Sequence, residues 1–227
     1  MRRRRELRFV VLVAVAVTIV AWQFPLGRLV LWPFTLLATF AHEMGHGLTA
    51  MLLGADFETI LMRADGSGVA TWSGSLGRFG RAMVAAGGLI GPAFLGAGLL
   101  VASSREKAGR PLIALLLLFS LFAFFRVGSV FTAAFLATLA VTAAALLKFG
   151  SVGANVLAVR LMGVQLGLSV FQDLSYMFSP GQGGQVSDSM SISQALFLPY
   201  WVWGGLVALV SFSVLALGLW TALREPV

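Results

Sequence analysis

Hydrophobic positions in this chain fall in long runs separated by short polar breaks, not in the alternating or 3.6-residue stripes of a half-buried surface. Seven such runs are recognisable, at Phe9–Trp22, Leu29–Gly54, Ala82–Ser103, Leu112–Phe125, Val130–Leu147, Leu161–Phe178 and Ala195–Leu223. Each predicts a membrane-embedded helix. Leu112–Phe125 is short for a bilayer crossing, so the count is seven, or six if that segment is re-entrant. The most polar stretch, Ala55–Arg81, holds β-rich sequence from Phe57 to Trp72 on both sides of Asp65-Gly66, a turn dipeptide, and predicts a hairpin. The third run is rich in glycine, with Gly87 and Gly91 at the small-xxx-small spacing that lets helices approach closely. Tyr200, Trp201 and Trp203 open the last run at interface height. The fold class predicted is an all-α polytopic membrane protein with six or seven transmembrane helices and one small β-hairpin.

Composition supports this pattern. Of 227 residues, 59% are hydrophobic and only 11% are charged, and the mean hydropathy is +0.92. A soluble domain carries about 25% charged residues, so a soluble fold and a disordered chain are both excluded. The absence of cysteine removes disulfides, thiolate metal sites and cysteine nucleophiles. A net charge of +7 raises the question of nucleic acid, but the basic residues cluster at Arg2–Arg5 and Arg8 and in short loops. That placement fits an anionic membrane surface, and no nucleic-acid partner is expected. The first run lacks a small-residue cleavage site and reads as an uncleaved span with a cytoplasmic N-terminus. One membrane-embedded domain is expected over 1–227: a basic segment and first span (1–28), the histidine-bearing span (29–54), the polar loop with its hairpin (55–81) and the remaining spans (82–223).

Chemistry concentrates at one place. His42-Glu43-Met44-Gly45-His46 is an H-E-x-x-H sequence inside an apolar run, and it holds both histidines of the chain. Residues four apart share a helix face, so both imidazoles can reach one metal ion, and Glu43 stands beside them to act on a metal-activated water. Random placement of two histidines and an adjacent glutamate would give this spacing on the order of once in 5,000 chains. An acid at bilayer depth costs about 2.5–3.5 kcal/mol even on lenient scales, which argues against a packing role.

A catalytic zinc usually takes three protein ligands. Without a third histidine or any cysteine, the third must be a carboxylate. Glu6, Asp56, Glu58, Asp65, Glu106, Asp173, Asp188 and Glu225 are available, and only Asp173 lies inside an apolar run. The second run centres near Glu43 and the sixth near Val170, which places Asp173 at a matching depth. Asp173 is therefore the expected third ligand. Asp188, in Val186-Ser187-Asp188-Ser189, reads as a helix N-cap before the last span or a loop contact, and is the substitute ligand.

These residues resemble the site-2 protease family of intramembrane zinc metalloproteases, in its short bacterial form without a PDZ domain. His42–His46 stands where that family keeps its zinc-binding helix, and the Gly87–Gly98 stretch with Gly91-Pro92 looks like the glycine-rich span that follows it. The resemblance implies one zinc ion per chain held by His42, His46 and Asp173, with Glu43 as general base. It also implies a transmembrane protein segment as substrate, cut within the lipid bilayer. A helix must unwind before its peptide bonds can be cut, and the Phe57–Trp72 hairpin is a candidate clamp for the unwound strand. The alanine-, glycine- and arginine-rich composition points to a prokaryotic cytoplasmic membrane. The competing reading of the same residues is a membrane metal transporter or scaffold with a non-proteolytic zinc site, although transporters carry more polar residues along their path.

Overall fold

The computed structural model describes residues 2–182 and 185–224, with side chains described for 9–181 and 185–224. The arginine side chains of the basic N-terminus and Glu225 lie outside the described residues. Helix α1 spans Arg2–Ala21 and α2 Pro25–Leu52; strands β1 (Asp56–Met62) and β2 (Gly68–Ser73) follow, then α3 (Arg78–Ala102). A 3₁₀ turn at Glu106–Ala108 leads into α4 (Gly109–Phe124), α5 (Val130–Phe149) and α6 (Val152–Met177). The two-residue strands β3 (Gly181–Gln182) and β4 (Gln185–Val186) precede a short α7 (Asp188–Leu196) and the final α8 (Tyr200–Arg224).

The helices track the apolar runs, with two displacements. Helix α6 begins nine residues before the expected Leu161, because Ser151 caps it by accepting from the Ala154 N–H at 3.1 Å and so permits a start in more polar sequence. The last run is split. Phe197 adopts the left-handed region (φ 76°) and Pro199 has no N–H to continue the ladder, so α7 and α8 are separate helices. Among the described residues, five helical segments are long and apolar enough to cross a membrane: α3, Glu106–Phe124, α5, α6 and α8. Helix α1 adds a shorter apolar stretch, Phe9–Ala21. Helix α2 has 28 residues, about 42 Å at 1.5 Å per residue, but His42, Glu43 and His46 dilute its hydropathy. Large apolar side chains such as Leu118, Val141, Leu209 and Leu217 are exposed on the outer helices, a surface suited to lipid.

Helix α3 is the hub and touches α2, α6, α7 and α8. Its glycines explain how. A side chain at Gly87 would strike Thr49 of α2, and one at Gly96 would meet the backbone of Gly163 and Gly167 of α6 at 2.5–3.0 Å. In lipid, where no hydrophobic effect draws helices together, such close backbone contact supplies the packing energy. Gln165 on α6 donates to Thr18 on α1 at 2.6 Å, and both are buried, which ties the first helix to the bundle.

The hairpin forms where the sequence predicts it. Asp56 to Met62 pair antiparallel with Ser73 to Gly68, with a bulge between Phe57 and Thr59. Gly66 turns the chain at φ 89°, and the Asp65 carboxylate accepts from the backbone and hydroxyl of Ser67 at 2.9 and 2.7 Å. Two α2 side chains hold the turn in place: Trp32 donates to the Ala64 carbonyl at 2.8 Å and Thr39 to the Gly66 carbonyl at 2.6 Å. On its far side β1 is bonded to the α4–α5 connection, with Ile60 donating to Arg126 and accepting from Gly128. β2 is thus left as the free edge of the sheet.

Candidate metal centre

Helix α2 presents His42 and His46 one turn apart, ring against ring, with centroids 4.8 Å apart. Their Nε2 atoms are 3.1 Å from each other. The third group beside them is Asp188, whose Oδ2 is 3.0 Å from His42 Nε2 and 3.3 Å from His46 Nε2. Among the described residues these three form a group able to hold a metal ion. Ligand atoms of a tetrahedral zinc with bonds of about 2.0–2.1 Å stand about 3.3 Å apart. The observed triangle has that size.

The imidazole tautomer supports the same conclusion. His46 Nδ1 lies 2.8 Å from the Val84 carbonyl of α3. A carbonyl only accepts, so Nδ1 carries the proton and Nε2 turns its lone pair toward His42 and Asp188. In that neutral tautomer the His46 Nε2 lone pair is free to bind a cation held together with the Asp188 carboxylate. Gly88, on the adjacent turn of α3, leaves room for this arrangement, since a side chain there would run into the His46 ring.

Asp188, not the expected Asp173, is the acid that the structure brings against the two imidazoles. Asp173 stays on the wall of a neighbouring cavity that also touches His42 and Glu43, and it is not part of the ligand triangle. The physical reason is a division of labour around residue 187. Ser187, not Asp188, caps α7 by accepting from the Met190 N–H at 3.2 Å, so Asp188 is the first helical residue and keeps its carboxylate for other partners. The chain between α6 and α7 is folded tightly enough to bring it there: Ser187 donates its hydroxyl to the Ser179 carbonyl and its N–H to the Pro180 carbonyl.

Glu43 is buried and sits outside the ligand triangle. Its carboxylate faces the backbone of Ala70 on β2 across a cavity that both line. The ladder explains why the Ala70 N–H is available. Ile60, the partner of Ala70, spends its own N–H and C=O on Arg126 and Gly128, so the pair is not hydrogen-bonded and Ala70 points outward. Gly68 completes the fit, because a Cβ there would come within 2.6 Å of Glu43 Oε1. The cluster opens on a cavity of about 650 Å³ that includes Gly68, Val69, Ala70 and Trp72 of the β2 edge, with Arg81, Tyr176 and Gln194. On its other side a cavity of about 860 Å³ runs past Thr39, Gln172 and Asp173 to the hairpin turn.

A sequence model described as peptidase M50B-like matches residues 10–218. The chain belongs to the peptidase M50B-like family. Its members are site-2 protease-like membrane metalloproteases, and the apolar helices with their half-buried histidine pair make this M50B-like chain an integral membrane protein of that kind. No curated protein and no solved structure matches it.

Proposed function

We propose that this M50B-like peptidase is a zinc-dependent intramembrane endopeptidase that cuts transmembrane segments of membrane proteins. The observation that carries the reading is the triangle of His42, His46 and Asp188 with Glu43 beside it, open to a polar cavity inside an apolar bundle. These three residues would hold one zinc ion per chain. Zinc, when bound, supplies a Lewis acid that lowers the pKa of water to about 7 and polarises a carbonyl. Glu43 accepts the proton of the attacking water and delivers it to the departing amine nitrogen, completing hydrolysis of the peptide bond. The Ala70 backbone that faces the Glu43 carboxylate keeps it oriented for that transfer.

The β2 edge supports a role in substrate handling. Met62 and Phe57 turn a backbone group away from β2, to the Thr132 hydroxyl and the Arg126 guanidinium. Their partners Gly68 and Trp72 therefore face the cavity with unspent backbone groups. An unwound segment can add to that edge as a strand, which replaces the helical hydrogen bonds it has lost. Hairpin and spans act as one catalytic unit, and the prokaryotic cytoplasmic membrane is the proposed location.

The deciding experiment uses purified protein in lipid vesicles with a single-span model substrate. Glu43→Gln should lower cleavage by about 10²–10⁴-fold and keep wild-type zinc content. Undiminished cleavage by this variant removes the reading. Zinc-dependent metal flux without proteolysis would establish the transporter alternative.

A further inference from the structure

The mechanism leaves one polar side chain at the centre unused. Tyr176 lies on α6 one turn beyond Asp173, with its ring edge-on to His42 at a centroid distance of 6.3 Å. Its hydroxyl makes two contacts, both with the same residue. It accepts from the Asp188 backbone N–H at 3.2 Å and donates to Asp188 Oδ2 at 3.4 Å. We propose that Tyr176 is the positioning residue for the third metal ligand, holding the Asp188 carboxylate in the orientation that completes the triangle. The inference rests on the zinc reading and extends it to a residue outside the ligand set.

The case is one of counting donors. Among the described residues, the groups within hydrogen-bonding distance of the Asp188 carboxylate are His42 Nε2, His46 Nε2 and the Tyr176 hydroxyl. A metal ligated by both Nε2 atoms consumes their lone pairs and leaves neither nitrogen a proton to donate. The phenol is then the remaining protein donor to the carboxylate. The need for one is specific to Asp188. His46 is oriented by the Val84 carbonyl, and both histidines ride on a long helix packed against α3. Asp188 instead opens a nine-residue helix that follows a folded loop. A hydroxyl that binds both its backbone and its carboxylate fixes the main chain and the side chain together. Such outer partners typically contribute 10–100-fold to metal affinity.

The test is Tyr176→Phe, which keeps the ring against His42 and removes only the hydroxyl. Zinc affinity, measured by competition with a chromophoric chelator, should fall about 10–100-fold. The visible absorption of the cobalt(II)-substituted protein should shift, because the carboxylate is no longer held in one orientation. In an Asp188→Ala background, Tyr176→Phe should cause no further loss of affinity. Unchanged zinc affinity in Tyr176→Phe overturns the proposal. If kcat falls in that case, the phenol acts on substrate instead. His42→Ala separates the two levels of inference: zinc affinity unaffected by that change means the metal centre itself is misassigned, whereas affinity lost there but kept in Tyr176→Phe refutes the positioning role alone.

Discussion

Asp173 and Asp188 show how much one residue's local role decides. Both are acids near the two histidines, and depth along the apolar runs favours the first. Depth is a one-dimensional measure, however, and it ignores a chain that folds back after leaving the membrane helix. The signal that would have favoured Asp188 is Ser187. A serine directly before an aspartate can take the capping role and release the carboxylate. The two assignments separate by measurement: Asp188→Ala should lose stoichiometric zinc, while Asp173→Ala should retain it within about tenfold in affinity. The opposite result would restore the ligand expected from the sequence. The clustering of the two histidines with Glu43 on α2 was legible because spacing along one helix needs no tertiary information. The Gly68→Ala substitution tests the other wall of the site. Its methyl group would press on Glu43 Oε1, so cleavage should fall by about tenfold or more, with zinc content unchanged.

Among the elements, the hairpin was the most readable, because turn chemistry at Asp65-Gly66 is local. Its partner was not readable. Nothing in the sequence announces that Ile60 bonds to Arg126 and Gly128, which is what turns Ala70 toward Glu43. Ala70→Pro tests this arrangement. The substitution removes an N–H that the β1–β2 ladder does not use, and proline is tolerated on an edge strand. Folding should therefore survive while cleavage falls about tenfold or more through a misplaced base. The turn itself carries a pH dependence. The Ser67 backbone and hydroxyl lower the Asp65 pKa. A carboxylate with a depressed folded pKa contributes stability that is present above its unfolded value, and that contribution is lost as pH falls through the folded one. Amide exchange at Ser67, corrected for its intrinsic pH dependence, should lose protection below about pH 4. The break at Phe197–Pro199 has a similar lesson. Pro199 was visible inside the last apolar run, but hydropathy alone reads through it.

At the scale of the whole molecule, small residues along α3 let four helices meet it, and Gly96 is where α6 comes closest. Gly96→Leu should destabilise the bundle by about 1–3 kcal/mol or more, read as a lower midpoint of thermal unfolding in detergent. The glycine spacing was visible in the sequence. The identity of its neighbours was not, because lipid-facing and helix-facing positions are equally apolar and periodicity fails to separate them. On the protease reading, a strong chelator should abolish cleavage, and added zinc should restore it.

Along the polypeptide, the first of the two imidazoles lies 146 residues from the carboxylate that faces it. A ribosome releases His42 and His46 long before it reaches Asp188, so the growing chain has the first two grips on an ion and lacks the third. On the zinc reading, the newly made protein stays catalytically silent until synthesis has passed α7 and Asp188 has joined the two histidines. Its neighbours in the membrane are spared from a half-built blade.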